Sequence, residues 1–129
     1  MAYSDFTLAR LKSELGITVV EGVSLFGNVA GMEASPYLRE GLKRCERFVT
    51  LVNTEKVRSE FLIAPILGEI LERSDQPSSL FSGTDFNVDS EQGLVGCCDF
   101  ILSQSAEQMD IVASVVTIVE AKMKVFAVG

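Results

Sequence analysis

Leu94-Val95-Gly96-Cys97-Cys98-Asp99-Phe100-Ile101-Leu102 is uncharged apart from one aspartate. An apolar run of this kind reads as a strand, over Leu94–Ser103, with a carboxylate set into it. Farther along, Val115-Val116-Thr117-Ile118-Val119-Glu120-Ala121-Lys122 is rich in the Val, Ile and Thr that strands favour, and it ends on an acid and a base. Side chains alternate along a strand, so residues 120 and 122 project to the same side. If the two strands pair as neighbours, Asp99 approaches Glu120. Two ionised carboxylates at close range repel each other unless a cation or a proton lies between them. A divalent metal resolves that conflict, and oxygen ligands suit Mg²⁺ or Mn²⁺. Lys122 would complete such a site by orienting an attacking water or by stabilising charge that builds on a phosphate. The plainer alternative makes Glu120 and Lys122 a solvated strand end, Asp99 a turn residue and Glu60 the partner of Lys122.

Outward from these segments, Gln76-Pro77-Ser78-Ser79 is a turn and Leu80–Val88 a further strand. Glu107–Val112 reads as a short helical turn between the last two strands. Helices occupy the first half of the chain. Asp5 can cap a short helix with apolar positions at Leu8, Leu11 and Leu15, and Gly16 is a stop. Residues 17–20 read as a short extended piece and residues 21–36 as a glycine-containing loop without a phosphate-binding Gly-Lys-Ser/Thr ending. Ser35-Pro36 opens the next helix, with Leu38, Leu42, Cys45 and Val49 on one face.

A longer helix runs from near Thr54 to about Arg73. At about 100° per residue, Val57, Phe61, Ala64, Leu67, Gly68 and Leu71 share an apolar arc, and Glu60 falls inside it. Pro65 should kink this helix, because it lacks a backbone donor and crowds the Phe61 carbonyl. The expected fold class is therefore α/β, in the sense of an α+β arrangement with a mixed sheet, in a single domain over 1–129.

The chain has 129 residues, 47% of them hydrophobic, with 18 acidic and 11 basic side chains and no histidine. That length suffices for one buried core. Without histidine, imidazole-based hydrolases and histidine-ligated zinc sites are excluded within this chain. A net charge of -7 argues against a generic binder of nucleic acid or membrane surfaces. The basic residues are segregated, however: Arg39, Lys43, Arg44, Arg47, Lys56 and Arg58 lie close together, and residues 74–121 hold none. Arg39, Lys43 and Arg47 recur every four residues as one helical stripe, which is either a solvated face or a nucleic-acid-binding one that contacts phosphates.

Cys45 stands apart from adjacent Cys97 and Cys98, a pattern of neither disulfide framework nor zinc knuckle, so a reducing, cytoplasmic setting is expected. No secretory signal and no membrane-length apolar run is expected. Asp85-x-Asn87-x-Asp89 imitates the opening of a calcium loop but lacks its glycine and its final glutamate, so a polar turn is expected.

Glu60 in Ser59-Glu60-Phe61-Leu62-Ile63-Ala64-Pro65-Ile66-Leu67, Asp99 in Gly96-Cys97-Cys98-Asp99-Phe100-Ile101-Leu102, and Glu120-Ala121-Lys122 together resemble the PD-(D/E)XK nuclease superfamily. More narrowly they look like its small restriction-endonuclease-like proteins, which carry Glu-Phe-Leu-Ile-Ala-Pro on a helix and Val-Glu-Ala-Lys on a strand. The resemblance spans Phe6 to Lys122. It implies an αβββαβ core and metal-dependent cleavage of DNA phosphodiesters. It also implies Asp99 and Glu120 as ligands of Mg²⁺ or Mn²⁺, Lys122 as the catalytic lysine and Glu60 as an accessory acid, all four belonging to the catalytic set.

Two departures follow from the residues themselves. Cys98 stands where the family name has a proline, and only seven residues follow Lys122, too few for a further helix and strand. The expected fold is accordingly a restriction-endonuclease-like αβββ core with the final αβ missing or replaced. If the third strand runs on to Val128, its fourteen residues span roughly 46 Å, against a roughly 36 Å diameter for a compact domain of this size. Such a strand would bend or pair with another copy, so a homodimer through the C-terminal strand is expected. Beside the DNA-cleaving enzyme stand a catalytically inactive interaction or regulatory module of the same fold and an unrelated small-molecule-binding domain.

Overall fold

The structure, a computed structural model, describes residues 2–106 and 115–122. It divides into two compact units, one of Met1–Glu33 with Asp85–Gly96 and one of Ala34–Thr84 with Cys97–Gly129. Among the described residues, no helix is long and apolar enough to cross a membrane.

In the first unit a 3-10 turn, Tyr3–Asp5, precedes helix α1, Leu8–Leu15. The expected cap, Asp5, is not the one used. Thr7 has the extended backbone of an N-cap and its Oγ1 accepts the Arg10 N–H at 3.2 Å. Asp5 lies too far upstream to reach those donors, and its carboxylate instead accepts the Ala2 N–H at 2.8 Å. Gly16 ends the helix as expected, with φ 65°, a conformation that costs other residues energy. Residues 17–20 join no ladder, so the expected extended piece is not a strand, and residues 21–33 are loop and turn. Val20, Leu25 and Phe26 in this stretch are exposed.

The remainder of this unit is a hairpin end. Phe86 N–H bonds the Gly96 carbonyl at 2.7 Å, and Asp89 and Leu94 form an antiparallel bridge. The polar cluster is spent on this turn, as expected. Asp89 Oδ1 accepts the N–H groups of Glu91 and Gln92 at 3.0 and 3.1 Å, and Asn87 Oδ1 accepts that of Gly96. Tyr3 N–H reaches the Val95 carbonyl at 2.9 Å, and a Cβ at position 96 would stand 2.7 Å from the Tyr3 ring, which is why glycine sits there.

The second unit begins with helix α2, Pro36–Leu51. Ser35 Oγ accepts the Leu38 N–H at 3.1 Å, and proline occupies the first turn where its missing donor costs nothing. Both Ser35 N–H and its hydroxyl donate to Glu69, which ties this cap to a later helix. Those bonds, with Arg73 nearby, hold the Glu69 carboxyl below its ordinary range. Its folded pKa is thus below its unfolded one, so its stabilisation is present above the unfolded value of about 4.5 and is lost as pH falls through the folded value. Ser35→Ala is expected to lower stability by about 1–2 kcal/mol in urea titration at neutral pH. The difference from wild type should shrink on acidification; a constant difference would refute the Glu69 linkage.

Helix α3, Glu55–Arg58, passes through a π-helical turn, Ser59–Ile63, into α4, Ala64–Glu72. The long helix expected over 54–73 is therefore present, and the irregularity expected of Pro65 takes the form of this wide turn. Proline cannot donate to Phe61, and Ala64 N–H bonds Ser59 one residue farther back than in an α-helix. Phe48 of α2 meets Phe61 edge to face with ring centroids 4.8 Å apart. Leu38 and Val49 of α2 and Leu67 of α4 are buried.

The sheet holds β1, Ser79–Asp85, β2, Cys97–Ser103, and β3, Val115–Val119, antiparallel in the order β1-β2-β3. The pairs Phe100–Val119, Ile101–Ile118 and Leu102–Thr117 set the β2–β3 register, which shifts to Ser103–Val115 at a bulge. As the middle strand, β2 is buried on both faces: Cys98 and Phe100 on one, Ile101 and Ser103 on the other. The architecture is thus α+β, with helices before an antiparallel sheet. All three strands are shorter at one end than expected, and β3 stops before Glu120. The expected turn at Glu107–Val112 and the extension of the last strand over 123–128 lie outside the described residues.

Candidate active site

The register decides what meets at the end of the β2–β3 pair. Phe100 opposes Val119, so one step farther Asp99 stands across from Glu120 and projects to the same face. Glu120 Oε1 accepts the Asp99 N–H at 3.3 Å, and Asp99 Oδ2 accepts the Ala121 N–H at 2.8 Å. Each carboxylate therefore reaches across to the backbone carrying the other. These bonds also explain the end of β3, since the Ala121 N–H goes to a side chain instead of a carbonyl. The approach of Asp99 to Glu120 expected from the sequence is what the strands produce.

Asp99 is half-buried, Glu120 and Lys122 are exposed, and Ala121 between them is buried. Lys122 makes no ion pair among the described residues. Asp99 Oδ1 carries no hydrogen bond there. Buried Cys98 adjoins the pair: desolvation first, and then the Glu120 charge, push its thiol up. This buried strand cysteine therefore feels the charge of the site.

Glu60 departs from expectation. Its side chain is half-exposed and paired with Lys56 at 3.0 Å, so neither the core nor Lys122 receives it. The wheel that set Glu60 between Leu67 and Leu71 assumes an unbroken α-helix. The π turn holding Glu60 adds a residue, which shifts the phase by about 100°. No hydrogen bond or ion pair joins Glu60 to Asp99, Glu120 or Lys122 among the described residues. Arg39, Lys43 and Arg47 are exposed along α2, and Arg39 Nε donates to the Ala34 carbonyl at 3.1 Å.

No cluster of three or more acidic, cysteine or histidine side chains able to hold a metal ion occurs among the described residues. Two carboxylates are nonetheless a fitting donor set for Mg²⁺, which keeps several waters and is often held by one or two protein carboxylates together with substrate phosphate. Two residues escaped the sequence reading. Arg58, at the end of α3, donates from Nη1 to the Lys122 carbonyl at 3.5 Å and from Nε to Asn53 Oδ1 at 2.7 Å. Membership of the basic cluster was the sole sequence signal at Arg58, and it says nothing of a partner so distant in the chain. No family model, curated protein or solved structure matches the chain.

Proposed function

We propose that the chain is a metal-dependent phosphodiesterase of restriction-endonuclease-like fold acting on DNA, with Asp99 and Glu120 as ligands of Mg²⁺ or Mn²⁺ and Lys122 as catalytic lysine. The observation that carries this reading is the juxtaposition of Asp99 and Glu120 across the strand end, Glu120 on the Asp99 N–H and Asp99 on the Ala121 N–H, with Lys122 two residues beyond Glu120. In the second unit α2, α3 and α4 precede the three strands, an order compatible with the αβββ run of that core. Glu60, engaged by Lys56, is outside the minimal set.

A bound divalent ion supplies charge neutralisation and Lewis acidity at the phosphate. The chain's own part is to hold two carboxylates in place through backbone N–H groups before any ligand arrives, so little ordering remains at the moment of reaction. Lys122 offers its ammonium to the attacking water or to a non-bridging phosphate oxygen. The water oxygen bonds to phosphorus as the bond to the departing sugar oxygen breaks; the water gives its proton to solvent, and solvent returns one to the sugar oxygen, which leaves as a hydroxyl. The stripe of Arg39, Lys43 and Arg47 is the proposed backbone contact, whose binding should weaken with salt. As the outer strand of the three described, β3 offers an edge for the proposed homodimer. The three free cysteines accord with a cytoplasmic setting.

Nicking of supercoiled plasmid in the presence of Mg²⁺ or Mn²⁺ tests the proposal. Lys122→Ala should lower the rate by about 10²–10³-fold, while calorimetry still shows Mn²⁺ binding. Equal residual nicking in wild type and variant would refute it. Absence of both nicking and Mn²⁺ heat would favour an inactive interaction module, a reading that the small number of candidate ligands also favours.

A further inference from the structure

Lys122 lies beyond the ladder, whose last pair at that end is Phe100 with Val119. The sheet's own hydrogen bonds therefore do not set the direction of its side chain. Two other side chains hold the Ala121-Lys122 segment instead. Asp99 Oδ2 holds the Ala121 N–H at 2.8 Å, and Arg58 Nη1 donates a long bond, 3.5 Å, to the Lys122 carbonyl. Arg58 is itself aimed by Asn53, whose Oδ1 accepts from Nε at 2.7 Å.

We propose that Arg58, held by Asn53, is a positioning residue for Lys122. The inference rests on the reading of Lys122 as the catalytic lysine. A guanidinium carries its donors on a rigid planar fork, so one group serves the Asn53 carbonyl and the Lys122 carbonyl in a fixed relation. A lysine ammonium is a single point on a flexible stem and cannot span both. With the Ala121 N–H fixed on one side and the Lys122 carbonyl on the other, the direction in which the Lys122 side chain leaves the backbone is confined. Asp99 thereby links the metal-binding group to the lysine-bearing segment, and Arg58 links that segment to α3. Half-buried Asn53, in the connection between α2 and α3, extends the chain of contacts by one residue.

The test uses the full chain carrying Arg58→Lys, Arg58→Ala or Asn53→Ala. Single-turnover nicking with Mn²⁺ is expected to slow by about 10²-fold in Arg58→Lys, the cost of a misplacement near 1 Å. Mn²⁺ affinity by calorimetry should not change, because Asp99 and Glu120 are untouched. Added ethylguanidinium should restore part of the rate to Arg58→Ala and none to wild type. Independently, the chain is reductively methylated with ¹³C-formaldehyde and the Lys122 resonance assigned by its loss in Lys122→Gln. That resonance should move in Arg58→Lys and in Asn53→Ala while those of Lys12 and Lys43 stay. A wild-type rate in Arg58→Lys, or an unmoved Lys122 resonance, overturns the proposal. If wild type itself fails to nick DNA, the phosphodiesterase reading falls and the Lys122 resonance alone decides the positioning role. Should Arg58→Lys not fold, Asn53→Ala supplies the same readings with Arg58 in place.

Discussion

Asp99→Ala is expected to abolish metal-dependent nicking, with a rate loss of at least about 10²–10³-fold, and to remove the heat of Mn²⁺ binding. Two separable losses are folded into that variant. The carboxylate is one of only two proposed ligands, and it is also the acceptor for the N–H of buried Ala121. Leaving that donor unpaired should cost about 1–3 kcal/mol of stability. Asp99→Asn separates the effects, because the amide oxygen can still accept the Ala121 N–H while the negative charge is gone. Nicking and Mn²⁺ heat should vanish in Asn as in Ala, yet urea titration should show Asn retaining more stability. Retained cleavage in Asp99→Asn would show that the charge is not needed and would defeat the assignment of Asp99.

Ile101→Ala is expected to produce the largest loss of stability, about 2–5 kcal/mol. The side chain is 0% exposed and sits on the middle strand, two positions from Asp99 on the same face. Removing three carbons there leaves a cavity that neighbours on both flanking strands cannot close without abandoning the register. Against a typical domain stability of about 5–15 kcal/mol, that is a large fraction. Its cross-strand partner Ile118 is 45% exposed, so Ile118→Ala should cost under about 1.5 kcal/mol, having less area to lose from burial. Urea titration of the two variants checks the contrast, and equal losses would contradict the burial described for β2.

Local chemistry was legible in the sequence wherever the deciding groups are near one another in the chain. Ser35-Pro36 announces a helix because cap and proline act within one turn, and Gly16 ends one for the same reason. The pairing of Asp99 with Glu120 was legible because alternation and adjacency of two apolar runs leave few registers. Pro65 signalled a broken helix but not the form of the break. That form decides where Glu60 points, so its direction was misread. Asp5 and Thr7 both qualify as caps by residue type, and the conformation of the intervening backbone chose between them. The end of β3 and the reach of Arg58 to Lys122 are tertiary facts, set by side chains taking over backbone partners, and no periodicity encodes them.

The wide turn at Ser59–Ile63 has a consequence for which lengths of chain this fold tolerates. Deleting one residue within it would return the segment to regular α-helical spacing and press the Pro65 ring against the carbonyl four residues earlier. It would also rotate α4 by about 100° relative to α3, carrying Leu67 out of its buried position. The turn is in effect a one-residue insertion that the proline keeps in place. Chains that share this helix should therefore keep or lose the extra residue and the proline together.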